Sequence, residues 1–117
     1  MKKTVDAYFP QIADIYQAAK TIGQVAEVTP LQQSIRYSKK YGANILLKRE
    51  DLHRVRSYKI RGAYNKISSL SKEELNRGVV CASAGNHAQG VAFACSHLQV
   101  KGTIYMPVVT PKQKIDQ

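Results

Sequence analysis

The stretch 83-SAGNHAQG-90 lies between two apolar segments whose periods differ. Before it, 79-VVCA-82 has the composition of a short buried strand. The apolar residues after it recur at helical spacing: Val91, Ala94, Cys95 and Leu98. A strand that turns through small residues into a helix leaves backbone N–H groups unpaired above the turn, and such groups bind anions. The stretch therefore predicts an α/β fold with an anion site at this turn, without identifying the anion.

A second informative segment lies upstream, at 57-SYKIRGAY-64. Its apolar residues share one helical face, which predicts a helix that begins near Ser57, a good N-cap residue. Lys59 would lie in the first turn, where the helix dipole disfavours a cation and Arg56 and Arg61 add positive charge. A neutral amine is what Schiff-base formation with a carbonyl requires. The alternative is an exposed lysine with no role, the usual case in a basic stretch.

Together the two segments resemble the fold-type II pyridoxal-phosphate enzymes, and most closely the threonine dehydratases. Members carry a lysine in a Ser-aromatic-Lys-hydrophobic-Arg-Gly-Ala stretch, matched by residues 57–63, and the turn matched by residues 83–90. The segments 29-TPL-31 and 47-LKREDL-52 are similar to two further family landmarks, in the same order and spacing. The resemblance covers about residues 22–117 and implies part of the fold-type II architecture, a parallel sheet with helices.

The resemblance also implies a role for each residue of the two motifs. Lys59 would bind pyridoxal 5'-phosphate as a Schiff base and, once an amino acid displaces it, remove the α-proton. Asn86 would hydrogen-bond the phenolic oxygen of the cofactor. The substrate carboxylate would be held by the turn itself, through Ser83, Ala84, Gly85, Asn86 and His87. A structural role for His87 is favoured over a general base, and no residues have the spacing of metal ligands.

The length of 117 residues suits one domain, whereas enzymes of this family are much longer. Their glycine-rich phosphate loop lies downstream, and no run of glycines follows Gly90. A helix that begins with Thr110 as N-cap is cut after about two turns. We therefore interpret the chain as an N-terminal fragment or truncated reading frame, inactive by itself. Residues 1–52 would belong to the large cofactor-binding lobe and residues 53–117 to the small α/β lobe.

The net charge of +10 suggests nucleic acid as an alternative partner. However, the sequence has no zinc-finger, RNP or basic-zipper signature, and an anionic cofactor and substrate account for part of the charge. No apolar stretch approaches the length of a membrane span, and no apolar segment of a secretory signal follows Lys2 and Lys3. Cys81 and Cys95 are expected to be free thiols. The sequence predicts a cytoplasmic protein without nucleic-acid or membrane partners.

The remaining pattern predicts the order of the elements. They are a helix at 6–21, an extended segment at 29–31, a helix at 34–41, a strand at 44–48, a helix at 57–70, a short helix capped by Ser71 and Glu74, a strand at 79–82, a helix at 87–98, a strand at 103–106 and a helix from Thr110. The last part is a βαβ unit, for which a parallel sheet and a right-handed crossover are expected. Because only part of the sheet is expected here, some strand edges and apolar faces should be exposed.

The leading hypothesis, implied by the resemblance, is that the parent protein converts L-threonine to 2-oxobutanoate and ammonia. This activity would serve isoleucine biosynthesis or threonine catabolism. The alternatives are a serine dehydratase or serine racemase, which share the motifs, and a non-catalytic truncated protein. The full-length parent is expected to be a homo-oligomer that acts on a small amino-acid substrate.

Overall fold

The structure is a computed structural model that describes residues 8–116. Its elements follow in the order α1 (Ile12–Ile22), β1 (Leu31–Gln33), α2 (Ile35–Tyr41), β2 (Leu46–Lys48), a turn of 3₁₀ helix (Glu50–Leu52), α3 (Lys59–Ser68), α4 (Lys72–Arg77), β3 (Val79–Ala82), α5 (Asn86–Leu98), β4 (Gly102–Tyr105) and α6 (Lys112–Asp116). In the part of the chain that the structure describes, we find no helix with the length and apolar composition that crossing a bilayer requires.

The second half of the chain contains the predicted βαβ unit. β3 pairs in parallel with β4, so that Val79 lies opposite Gly102 and Ala82 opposite Tyr105, and α5 connects the two strands. The strand at 79–82 has the predicted bounds, while β4 begins one residue earlier than expected. The α/β fold with a parallel pair is therefore confirmed, and the hand of the crossover stays a prediction.

The first half of the chain contains a separate antiparallel pair. β1 pairs with β2, with Leu31 opposite Lys48, so the strand begins at the last residue of the extended segment predicted at 29–31. Between them lies α2, whose N-cap Ser34 accepts a hydrogen bond from the Tyr37 amide. Gly42 ends the helix at φ 60°, a left-handed conformation that glycine adopts without strain. These turn signals are local, and the helix predicted at 34–41 is observed as Ile35–Tyr41.

The core lies between α3 and α5. Its buried residues are Ala63, Tyr64 and Ile67 on α3 and Val91, Ala94 and Cys95 on α5. Leu75, Val79, Cys81 and Leu98 are partly buried and pack against this cluster. Because apolar burial is the main favourable term in folding, this contact fixes the position of α3 relative to the βαβ unit.

Helix α1 is present, but its apolar stripe is not buried. The helix covers Ile12–Ile22, and residue 6, where it was predicted to begin, lies outside the described residues. Ile12 and Tyr16, two members of the stripe, are 72% and 74% exposed. Val80 on β3 is also exposed, as expected for a partial sheet. Amphipathic spacing predicts a helix with an apolar face, but it does not say what covers that face.

Two predicted N-caps are wrong and one is confirmed. α3 begins at Lys59 rather than near Ser57, whose hydroxyl is buried without a hydrogen-bond partner in the structure as described. The Thr110 hydroxyl donates to the Pro107 carbonyl instead of capping α6. Ser71 and Glu74 form the predicted capping box of α4. The box depends on residues three apart, whereas the environment of the Ser57 hydroxyl depends on the path of the chain around it.

Candidate active site

A cleft of about 400 Å³ lies between α3, β3 and α5. Its lining residues are Tyr58, Lys59, Gly62, Ala63, Lys66 and Ile67 from the α3 region, Val79, Val80 and Cys81 from β3, and His87 and Val91 from α5. The volume is within the range of small-molecule sites, and the lining combines an apolar surface with a few polar groups. The structure thus brings Lys59 and the beginning of α5 to the same cleft.

Lys59 is the first residue of α3 and is half-buried. Its ammonium nitrogen lies 5.4 Å from the centre of the Tyr58 ring, a distance at which a cation–π attraction acts. The first turn of α3 contains no acidic residue, and Lys59 forms no salt bridge within residues 8–116. Lys59 therefore lines the cleft without a carboxylate partner among the described residues.

The charge of Arg61, one of the two arginines that flank Lys59, is paired with an acid. The Arg61 guanidinium binds the Glu50 carboxylate through two bonds, Nε to Oε2 at 2.7 Å and Nη2 to Oε1 at 2.9 Å. Arg56 is exposed and has a φ of 55°, a left-handed conformation uncommon for a residue with a side chain. The expectation of two added charges is wrong, because Arg61 is paired with an acid eleven residues before it.

Glu50 is the centre of a polar network that links the other two landmark segments to α3. It accepts a hydrogen bond of 2.6 Å from the Thr29 hydroxyl and lies 3.1 Å from Nε2 of the buried His53. The Lys48 ammonium donates to the Thr29 carbonyl. Arg61, followed by Thr29, holds the pKa of Glu50 down at about 2, against an ordinary 4.5. The resemblance pointed to these segments, and the structure shows that they hold the helix that carries Lys59.

We expect Glu50→Gln to destabilise the protein by about 1–3 kcal/mol at neutral pH, since it removes charge-assisted hydrogen bonds from a mostly buried group. The pKa of Glu50 is lower in the folded protein, at about 2, than its ordinary 4.5. Its contribution is therefore complete above about pH 4.5 and is lost as the pH falls towards 2. The difference in melting temperature between the two proteins should shrink between pH 6 and pH 3.

The exposed Glu73 on α4 provides the matched control for this substitution. Glu73→Gln also removes one carboxylate, but this carboxylate forms no ion pair among the described residues. We expect its melting temperature to stay close to that of the unsubstituted protein at every pH. If the difference in melting temperature between Glu50→Gln and the unsubstituted protein did not change with pH, the stabilising role of the Glu50 carboxylate charge would be contradicted.

The turn before α5 has the geometry of an open helix start. Gly85 precedes α5 in an extended conformation, and this end of the helix receives no capping hydrogen bond from any side chain that the structure describes. The Ser83 hydroxyl accepts a hydrogen bond of 3.2 Å from the Gly85 amide, which stabilises the turn internally. Asn86 and His87, the first two residues of α5, are exposed. An uncapped helix start offers amide donors and a positive dipole end to an anion.

The structure brings together some of the predicted site residues. Lys59 and His87 line the same cleft, and the residues from Ser83 to Asn86 form the turn that leads into His87. Cys81, predicted only to be a free thiol, lines the cleft, and burial raises the pKa of its thiol. Cys81 and Cys95 are both free, as predicted. Gly90, for which no separate role was predicted, lies where α5 approaches the backbone of Lys59.

Comparison with known proteins assigns this arrangement to one family. Residues 22–117 match the sequence profile of the family described as pyridoxal-phosphate dependent enzyme. A biosynthetic L-threonine dehydratase of Halalkalibacterium halodurans is 59% identical over 107 residues, which are 92% of this chain and 26% of that protein. The chain thus spans about a quarter of the length of this curated relative.

Two solved structures share the backbone arrangement. Threonine deaminase isoform 2 of Solanum lycopersicum is 46% identical with a TM-score of 0.76, and the match covers 92% of this chain and 31% of that one. Maize serine racemase is 32% identical with a TM-score of 0.86, covering 93% of this chain and 33% of that one. Sequence identity is higher with the threonine enzyme, whereas backbone similarity is higher with the serine enzyme.

Proposed function

Because the chain belongs to the pyridoxal-phosphate dependent enzyme family, we propose that it forms the lysine-bearing part of an L-threonine dehydratase. The complete enzyme would convert L-threonine to 2-oxobutanoate and ammonia by loss of the β-hydroxyl. The observation that carries the proposal is the cleft shared by Lys59 and the start of α5. The relatives named as biosynthetic threonine dehydratases support this substrate and a role in isoleucine biosynthesis.

The chemistry of the side chains present fits pyridoxal phosphate. An aldehyde needs a primary amine, and Lys59 supplies one without a carboxylate partner among the described residues. The aromatic ring requires an apolar surface, which Val79, Val80 and Val91 provide in the same cleft. The uncapped start of α5 is suited to an anionic group. Lys59 would hold the cofactor, and Asn86 would hydrogen-bond its phenolic oxygen.

When bound, pyridoxal phosphate supplies an aldehyde for attachment to Lys59 and a ring that withdraws electrons from the substrate α-carbon. The residues of this chain have three tasks. Amide groups from Ser83 to His87, with the Ser83 hydroxyl, hold the substrate carboxylate. The Asn86 amide fixes the orientation of the ring. The Lys59 amine, once released, takes the α-proton on Nζ as a general base.

The division of the chain into two lobes is part of the proposal. Residues 1–52 would belong to the large lobe and residues 53–117 to the small one. The division is supported by the sheets, because the β1–β2 pair lies within the first range, the β3–β4 pair lies within the second, and no described strand joins them. A cytoplasmic location and a homo-oligomeric complete enzyme are also proposed, by analogy with the family.

The second candidate function is that of a serine racemase or serine dehydratase, favoured by the higher backbone similarity to the maize racemase. The experiment uses a completed enzyme, which we define as this chain joined to the part of the Halalkalibacterium relative that follows the matched segment. Threonine and serine are supplied separately, and 2-oxobutanoate, pyruvate and D-serine are measured. Formation of 2-oxobutanoate as the main product is expected. D-serine formation without 2-oxobutanoate would instead identify a racemase.

Asn86→Ala in the completed enzyme is expected to lower kcat about a hundredfold, the usual cost of losing a donor at a reacting system. The KM for threonine should change less, because backbone amides hold the carboxylate. Asn76→Ala is the control, since Asn76 is exposed on α4 and does not line the cleft. If the two variants had the same kcat and KM, Asn86 would have no role in the active site.

A further inference from the structure

Gly90 lies in the interior of α5, and its backbone conformation is one that any residue can adopt. It is the fifth residue of α5 and is buried, and its φ is not positive. A glycine in such a position destabilises a helix by about 0.5–1 kcal/mol relative to alanine. The conformation of the residue therefore gives no reason for glycine, and the reason must lie in what surrounds it.

Gly90 packs against α3, the helix that carries Lys59. Its neighbours there are the backbone of Lys59 and the side chain of Ala63, one turn further along. A β-carbon at position 90 would lie 2.9 Å from the carbonyl oxygen of Lys59 and 3.1 Å from its carbonyl carbon. It would lie 3.2 Å from the β-carbon of Ala63. Backbone atoms cannot rotate away as a side chain can, so the first turn of α3 itself would have to move.

By contrast, a β-carbon on Gly102 would meet only side-chain atoms of Cys95, and one on Gly62 would meet nothing within 4 Å. Gly90 thus differs from these glycines, because its close neighbour is the backbone of the proposed active-site lysine.

We propose that Gly90 is a positioning residue for the reaction, because it lets α5 contact the backbone of Lys59 directly. The inference rests on the proposed function, since it concerns the place of the Lys59 amine relative to cofactor and substrate. Both functional segments meet at this contact: α5 begins at the carboxylate-binding turn, and α3 begins at the lysine. Because Gly90 has no side chain, the two helices can approach closely, and this approach sets the distance between the turn and Lys59.

The test is Gly90→Ala in the completed enzyme. A displacement of the lysine by a fraction of an ångström is expected to lower kcat at least about tenfold, with a smaller change in KM. The rate at which cofactor-free protein takes up pyridoxal phosphate, followed by visible absorbance, should fall by a similar factor. The melting temperature should fall moderately while melting stays cooperative, because the gain in helix propensity offsets only part of the strain.

Two further variants separate positioning from a general effect on the helix. Ser96→Ala improves helix propensity on an exposed part of α5 and should leave kcat and cofactor uptake unchanged. The double variant Gly90→Ala, Ala63→Gly lacks the contact between the new β-carbon and the β-carbon of Ala63. The loss of kcat caused by Gly90→Ala should therefore be smaller when it is measured in the Ala63→Gly background than in the unsubstituted enzyme.

The outcomes distinguish failure of this inference from failure of the proposed function. Unchanged kcat and cofactor uptake in Gly90→Ala would overturn the inference. Loss of cooperative melting would also overturn it, since Gly90 would then support the whole fold rather than the lysine. If the unsubstituted completed enzyme does not bind the cofactor at Lys59, the proposed function itself fails. If it does, the function stands whatever Gly90→Ala shows.

Discussion

Lys59→Ala in the completed enzyme is expected to abolish covalent cofactor binding and to lower turnover about a thousandfold or more. The effect is large because one amine performs two tasks, attachment of the aldehyde and removal of the α-proton. Within the described part of the cleft, the other amine is that of Lys66, two helical turns further along α3. Turnover of threonine and visible absorbance of the purified protein measure the two tasks separately.

The control for this substitution is Lys72→Ala. Lys72 is exposed on α4, and it does not line the cleft. Its removal changes the net charge by the same amount and should leave both absorbance and turnover intact. Turnover retained in Lys59→Ala would contradict the mechanism, and absorbance retained there would contradict the attachment site.

The second large effect is expected from the length of the polypeptide. The 117-residue chain alone should form no 2-oxobutanoate from threonine, whereas the completed enzyme should turn it over. The chain spans about a quarter of the matched relative, and the glycine-rich phosphate loop of the family is expected outside it. Without this loop the cofactor would lack its strongest anchor, although the lysine is present. Activity is measured at equal molar concentration of the two proteins, with and without added pyridoxal phosphate.

A complementation experiment serves as the control for the chain alone. The separately expressed remainder of the Halalkalibacterium relative is mixed with the chain, and recovery of turnover would show that the chain is competent but incomplete. Turnover by the chain alone that disappears in its Lys59→Ala variant would contradict the expectation. Turnover that persists in that variant would indicate a contaminating enzyme.

Local signals account for the parts of the fold that the sequence predicted correctly. The run of apolar residues at 79–82 gave β3 its correct bounds, and the spacing of Ser71 and Glu74 gave the capping box of α4. Gly42 and Gly78 end α2 and α4 with positive φ angles. Each of these features depends on residues a few positions apart, which is the range over which propensity and capping act.

Long-range contacts account for what the sequence did not predict. The Glu50–Arg61 pair joins residues eleven apart, and the contact between Lys59 and Gly90 joins two helices across the core. Sequence spacing carries no information about such pairs. The exposed stripe of α1 has the same origin, because whether an apolar face is covered depends on segments elsewhere in the protein. The motifs identified the residues of the site, and their mutual positions required the structure.

The most direct test of the central claim is identification of the lysine that binds the cofactor. The completed enzyme is reduced with borohydride in the presence of pyridoxal phosphate, digested with trypsin and analysed by mass spectrometry. A modified Lys59 resists cleavage, so we predict a labelled peptide that covers residues 57–61, SYKIR. A label on a peptide containing Lys48 or Lys66, with Lys59 unmodified, would contradict the account.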